Sequence, residues 1–356
     1  MKILTTSDWH IDNQSFGGRD TRLQRSVKVL RAVNEWCVEN VDAHVICGDL
    51  FEKVHPDLRV IWNVKQAFNN KPFCYLIQGN HDSGEMLCDS PTHLLLNKWN
   101  NPIDKDFHCI DYSRDSGDFL ASLKKSLESD SRFERMHSLI FCHQYFEGLY
   151  PFRASDRVEL KELKELAKKH KEKEILIFSG HYHRYGYLKV ADNLHVYSIG
   201  IPICQTFGDY DESCNGLLIQ GDCQNGYTTK IVDLYSFVLD MKLVDSLPEF
   251  IIVSVNQFKD FSIDYFTNVH YYRIDLGEDL TAEEINIISI ELKKIGCIYK
   301  FHKAVTTLAI LEKGKESETK HTPVEILDKA IELHKPEDPE GVKQEALGIM
   351  GGNYAK

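Results

Sequence analysis

The sequence predicts a layered α/β domain with a smaller α+β unit behind it, and three observations lead there. First, five apolar runs in the front half, Lys2–Thr6, Ala43–Cys47, Phe73–Gln78, Ser138–Cys142 and Ile175–Ser179, have the length and residue types of buried strands. Second, 3.6-residue apolar stripes separate several of them, as helices crossing over a sheet require. Third, the composition changes near residue 240, where a second short series of strand and helix patterns begins. At 356 residues the chain is long enough for two cores.

Each of the five runs stops at a polar block: Asp8-Trp9-His10, Gly48-Asp49, Gly79-Asn80-His81-Asp82, Cys142-His143-Gln144 and Gly180-His181-Tyr182-His183. Open α/β sheets place their ligand crevices at strand ends, so these side chains are expected to meet at one edge. Between the runs, residues 20–40 carry Leu23, Val27, Leu30, Val33 and Cys37 on one helical stripe. Residues 156–173 repeat the pattern with Leu160, Leu163 and Leu166 or Ala167, and their many Lys and Glu form a solvated face. Strands are expected at Leu194–Ile199, Gly216–Gln220 and Thr228–Tyr235, closing the first domain near residue 240.

The second unit, over about residues 245–311, reads as strands at Glu249–Val255 and Val269–Leu276, then a helix from about Ala282 to Ile295. Strands at Ile298–His302 and Ala304–Leu311 follow. Thr281 and Glu284 have the spacing of a capping box at the start of that helix. The polar run at 312–322 suits a flexible linker. Beyond it, Val324, Leu327 and Ile331 share one face of a short helix that Pro336 and Pro339 end, and a second helix is expected over Gly341–Met350.

Composition narrows the function classes. The chain is 42% hydrophobic and 27% charged, with no apolar stretch near the roughly 18 residues of a membrane span. It starts strand-like, without the pattern of a signal peptide, and its ten cysteines lack paired metal-site spacing. These features predict a cytosolic protein, or one of a host cytosol, with reduced thiols. Net charge is −12, from 42 basic and 54 acidic residues, which argues against a general polyanion binder. A phosphodiester substrate stays open, because two bound divalent cations invert the local sign.

The polar blocks supply a complete ligand set for two divalent ions. Such a pair, about 3.5–4 Å apart, needs a shared carboxylate and several neutral ligands. Asp49 is the expected bridge, since Gly48 leaves room beside it. Asp8 and His10, two apart on an extended segment, are expected to reach one ion, and His181 and His183 to serve different ions. Asn80 adds an amide oxygen and His143 an imidazole. Manganese, magnesium, iron and zinc are all compatible with this donor set. His81 is expected to point elsewhere, as an acid or a phosphate-contacting group that Asp82 orients. Attack on phosphorus in line by a metal-activated hydroxide is the chemistry such a site performs. The remaining histidines, among them His44, His55, His137, His170 and His195, carry no assigned role.

The series D-x-H, G-D, G-N-H-D, H and G-H-x-H over about Met1–Tyr235 resembles the calcineurin-like metallophosphoesterase superfamily. That resemblance implies a four-layer sandwich of two β-sheets flanked by helices. It also implies Asp8, His10, Asp49 and His183 around one metal, with Asp49, Asn80, His143 and His181 around the other. The stretch Gly48-Asp49-Leu50-Phe51-Glu52-Lys53 lacks the arginine of the serine/threonine phosphatase pattern, and Asp82 replaces its Glu. Ser7-Asp8-Trp9-His10, Gly48-Asp49-Leu50-Phe51 and the Tyr197–Gly216 segment are instead similar to the SbcD-type double-strand-break-repair nucleases, including their compact bacteriophage version. Membership there implies a manganese-preferring 3′→5′ exonuclease and structure-specific endonuclease acting on DNA. It further implies a capping domain, a homodimer, and a terminal helical segment, here residues 323–350, that docks on an SbcC-type ATPase. One departure is Glu52, where some members carry a histidine implicated in handling the DNA strand. A small-molecule phosphodiesterase, such as a cyclic-nucleotide hydrolase, and a mainly scaffolding subunit are the alternatives.

Overall fold

The structure is a computed structural model that describes residues 1–13, 21–68, 73–82, 107–131, 136–149, 156–204, 215–240, 250–268 and 270–303. The expected strand at Ala304–Leu311, the linker and the tail helices lie outside these residues. Two five-stranded sheets pack face to face. The first has the order β10-β9-β1-β2-β3, from β1 (Lys2–Thr6), β2 (Ala43–Cys47), β3 (Phe73–Ile77), β9 (Asn215–Asp222) and β10 (Gly226–Asp233). The second has the order β4-β5-β6-β8-β7, from β4 (Phe107–Ile110), β5 (His137–His143), β6 (Glu174–Gly180), β7 (Gly186–Ala191) and β8 (Leu194–Ser198). Strands β1, β2 and β3 run parallel, as do β5 and β6, so the polar blocks emerge at their carboxyl ends.

Inward side chains of both sheets fuse into one apolar layer, with Ile3, Val45, Ile77, Phe141, Phe178 and Leu217 among its members. Helices α1 (Thr21–Asn40) and α2 (Leu58–Ala67), with the short α5 (Leu234–Asp240), cover the outer face of the first sheet. The whole predicted stripe from Leu23 to Cys37 is buried there. Helices α3 (Ser116–Ser131) and α4 (Leu160–Lys169) cover the second sheet. The result is the four-layer sandwich. α4 begins later than the stripe suggests, because Val158 is bridged to Phe146 and holds the preceding chain extended. α5 replaces the expected end of a strand: Asp233 accepts from the Ser236 backbone N–H and turns the chain into a helix.

A third sheet, β11-β12-β13, is all parallel: β11 (Phe250–Val255), β12 (Tyr271–Leu276) and β13 (Ile298–Lys303), with α6 (Ala282–Lys294) as the crossover after β12. The capping box forms, with Thr281 N–H donating to Glu284 and Glu284 N–H to Thr281 Oγ1. This unit has its own core around Ile274, Ile288 and Leu292. No helix among the described residues is long and apolar enough to cross a membrane.

Below the first ligand block runs a buried polar chain. Trp9 Nε1–H donates to Thr6 Oγ1 (2.9 Å), the Thr6 hydroxyl to His44 Nε2 (2.9 Å) and His44 Nδ1–H to Asn34 Oδ1 (2.8 Å). The Asn34 amide then donates to the carbonyl of Ala67 (3.1 Å). Every donor in it has one acceptor, which fixes His44 as a neutral imidazole and pins the loop after β1 to α1 and the end of α2. Burial pushes the His44 pKa down to about 3. The unfolded chain takes up a proton near pH 6.5 and the folded chain does not, so this group withdraws stability as pH falls from 6.5 towards 3. Denaturant unfolding of metal-free protein is expected to show wild type losing stability faster on acidification than His44→Gln, by up to ~1.4 kcal/mol per pH unit. Parallel pH profiles for the two proteins would contradict the neutral, buried His44.

Candidate metal centre

Seven residues predicted as ligands come together where the two sheets' carboxyl ends meet. Among the described residues, three groupings have donor atoms within 4.8 Å of one another: Asp8, His10 and His183; Asp49, His143 and His181; and His10, Asp49 and His81. Asp49 Oδ2 lies 3.6 Å from His10 Nε2 and 3.3 Å from His143 Nε2, so it faces both halves. His10 Nε2 and His183 Nε2 are 3.1 Å apart, and His143 Nε2 stands 3.1 Å from His181 Nδ1 and 3.0 Å from Asn80 Oδ1. Asp8 and His143 are fully buried, Asp49 nearly so, while Asn80, His81, His181 and His183 are half-buried at the rim. The centre therefore has a closed floor and an open mouth.

The backbone is bent to make this possible. Among the described residues, the non-glycine positions with positive φ are Asp8 (55°), His10 (43°), Asp49 (49°) and His181 (84°), all predicted ligands. The Asp8–His10 segment is thus not extended as expected. Left-handed turns at both residues aim their side chains inward, and backbone bonds from Asp8 N to Gly48 O and from His10 N to Asp49 O tie the first two blocks together. Each such residue stores on the order of 1–3 kcal/mol, a cost characteristic of sites where geometry serves function. Glycines clear the space. A methyl on Gly48 or Gly180 would collide with the His143 ring, and one on Gly79 with Asp49.

The electrostatics suit cations. Burial disfavours charge on Asp49, but His143, His10 and His81 outweigh it and hold the carboxyl well below the usual range. Burial likewise opposes a proton on His143, yet Asp49 beside it pushes the pKa up to about 9. His143 Nδ1–H donates to the Cys47 carbonyl (2.8 Å), which leaves Nε2 as the atom turned to the centre. His181 N–H donates to both oxygens of Asp8 (3.0 Å), and His81 N–H to Asp49 Oδ1 (2.8 Å), aligning both carboxylates. Convergent imidazoles, two carboxylates and an amide oxygen, with no thiolate, fit a pair of divalent ions.

His81 joins His10 and Asp49 in one of the three groupings, at the rim of the centre. Its Nδ1–H donates to the Glu52 carbonyl (2.9 Å) and its ring meets His10 edge-on at 4.8 Å. Asp82 does not orient it, contrary to expectation. Its buried carboxylate accepts from the backbone of Leu50 (3.0 Å) and Phe51 (2.8 Å), bracing the loop after β2. Burial, then the charge of Asp49, raises the Asp82 pKa to about 7. His55 is exposed and belongs to none of the three groupings. Sequence reasoning missed Glu52 as a neighbour of His10 (2.9 Å), and Asp156, which lies 3.4 Å from His181. It also missed Tyr112, which donates to Asp156 (2.9 Å), and Tyr145, whose ring packs 3.8 Å from that of His181. Asp156, Tyr112 and Tyr145 lie in no motif, and Glu52 stood out only as a departure from the family pattern.

The model of the calcineurin-like phosphoesterase family matches residues 1–210, and the chain belongs to that family. Among solved structures, its fold is similar to a purple acid phosphatase from yellow lupin (Lupinus luteus) seeds. The identity is 11% and the TM-score 0.43, over 65% of this chain and 51% of that one. A dimetal phosphatase from Danio rerio matches at 14% identity and a TM-score of 0.39, over 64% of this chain and 98% of that one. The 5′-nucleotidase from Candida albicans matches at 12% identity and 0.39, over 83% and 56%. The chain spans about half the length of the lupin enzyme. No curated protein sequence matches it.

In the metal-free protein a proton held on His143 competes with any cation for the same nitrogen. Below about pH 9 an ion that takes this nitrogen must displace it, so the affinity of that side of the centre rises with pH. Calorimetric titration with Mn2+ in buffers of different ionisation enthalpy is expected to show about one proton released and up to ~tenfold tighter binding per pH unit between 7 and 9. Proton-independent binding would contradict the pairing of His143 with Asp49.

Proposed function

We propose that this metallophosphoesterase is the nuclease subunit of a DNA repair or recombination complex, hydrolysing DNA phosphodiesters at a two-manganese centre. The observation that carries the reading is the convergence of Asp8, His10, Asp49, Asn80, His143, His181 and His183 on one open-mouthed floor. Divalent ions bound there would supply Lewis acidity for hydrolysis at phosphorus. Asp49 would be the ligand shared by both sides. Asp8, His10 and His183 complete one side, and Asn80, His143 and His181 the other. His81 is assigned to the phosphate or the leaving oxygen, because its Nδ1 is bonded to Glu52 and its Nε2 is the nitrogen left for substrate.

DNA, rather than a small phosphodiester, is favoured by the resemblance of the Asp8, Asp49 and Tyr197–Gly216 segments to SbcD-type nucleases. A separate three-stranded unit after the core also supports it, since a small substrate needs none. That unit leans on the core through Phe250, which packs near Cys204 and under the guanidinium of Arg25. The net charge of −12 fits a subunit whose grip on duplex is supplied by a partner. We assign that role to an SbcC-type ATPase engaging residues 323–350, in a complex built on a homodimer.

End-labelled linear duplex, with and without an overhang, is expected to shorten in manganese with wild type but not with Asp49→Ala or His181→Ala. Full activity in either variant would overturn the site assignment. Hydrolysis of a cyclic nucleotide without duplex cleavage would favour the small-molecule reading. Truncation after Glu312 is expected to spare cleavage of single-stranded DNA and abolish co-purification with the ATPase. Retained co-purification would remove the tail from that role.

A further inference from the structure

Three histidines of the centre present their donor nitrogens by different means. His143 turns Nε2 inward while Nδ1–H is held by a backbone carbonyl, that of Cys47 (2.8 Å). His10 also turns Nε2 inward, 3.6 Å from Asp49 and 3.1 Å from His183, and its outward Nδ1 lies 2.9 Å from Glu52 Oε2. His181 uses the opposite nitrogen. Its Nδ1 faces His143 at 3.1 Å, and its outward Nε2 lies 3.4 Å from Asp156 Oδ2. Both outward partners are carboxylates, one on each side of Asp49.

We infer that Glu52 and Asp156 are positioning residues, each holding one histidine in the tautomer and orientation that serves one of the two ions. The inference rests on the dinuclear reading of the site. An imidazole has two exchangeable tautomers, and an acceptor behind one nitrogen selects the form whose lone pair faces the other way. His10 Nδ1 and His181 Nε2 face their carboxylates as ion-pair contacts rather than aligned hydrogen bonds, and the negative charge beside each favours the tautomer that carries its proton there. Neither carboxylate can be a ligand through these contacts, since each touches the nitrogen pointing away from the centre.

Both are held in place by further contacts. Tyr112 Oη–H donates to Asp156 Oδ2 (2.9 Å), and the Gln144 amide donates to the Asp156 carbonyl (2.6 Å). Asp156 is thereby fixed through β5 and the segment after β4. Glu52 is held by its backbone: its N–H reaches the Ile11 carbonyl (3.4 Å), and its carbonyl accepts from His81. Its side chain is 27% exposed against 9% for Asp156, so solvent weakens the Glu52 contact more.

The test is Mn2+ binding to the full chain by equilibrium dialysis and calorimetry, for wild type, Glu52→Gln, Asp156→Asn and the double variant. Wild type is expected to hold two ions. Each single variant is expected to keep one at wild-type affinity and to bind the other ~10–100-fold more weakly, with the double variant weakened at both. In the metal-free chain, 15N spectra of the histidine rings are expected to show a changed tautomer for His10 in Glu52→Gln and for His181 in Asp156→Asn, with melting temperatures close to wild type. Two ions bound at wild-type affinity by both single variants, or unchanged tautomers, would overturn the inference while leaving the centre intact. Weakening of both ions by either single variant, with a lowered melting temperature, would mean a merely structural role. A wild type that binds no ion would overturn the dinuclear reading itself.

Discussion

A carboxylate taken out of water must find positive charge, and Asp49 is the point at which this chain meets that demand. It is 2% exposed, at the seam of two sheets, and its neutralisation draws in almost everything around it. One oxygen takes the backbone N–H of His81, and the other faces His10 and His143. In the metal-free chain a proton on His143 supplies the compensation, and divalent ions supply it in the loaded one. The glycines at 48, 79 and 180 follow from the same demand, since any side chain there would occupy the space that Asp49 and His143 need.

The sandwich is a rigid mount for that arrangement. Left-handed backbone at Asp8, His10, Asp49 and His181 is held only because the surroundings over-determine it. The loop after β1 is bonded to the loop after β2, and the Trp9–Thr6–His44–Asn34 chain anchors it from beneath. Asp82 clamps the β2 loop from the other side. Rim residues such as His81 and His183 are left partly open, where a substrate can reach them.

The legible part of this design was the part carried by short-range pattern. Apolar runs ended by polar blocks located β1, β2, β3, β5 and β6, and the residues after them are the ones that converge. The stripe from Leu23 to Cys37 located α1, and Thr281 with Glu284 located the start of α6. Contacts between distant segments left no local trace. Asp156 reaches His181 only because the chain after β5 folds back over the end of β6, and nothing around Asp156 resembles a motif. Glu52 was noticed as a departure from family pattern, but its approach to His10 depends on the two loops being bonded side by side. His44 carried no assigned role in the sequence, and its place in a satisfied polar chain emerged only from α1 packing on the first sheet. The turned backbone at Asp8 and His10 was missed for a related reason: spacing of two suits a strand as well as a pair of left-handed turns.

Facing both halves of the centre, Asp49 is placed to lie between two cations. Anomalous diffraction from crystals of the full chain grown with Mn2+ tests it most directly. Two peaks about 3.5–4 Å apart are expected, one on the His10 and His183 side of Asp49 and one on the His143 and His181 side. A single peak, or manganese bound away from Asp49, would contradict it.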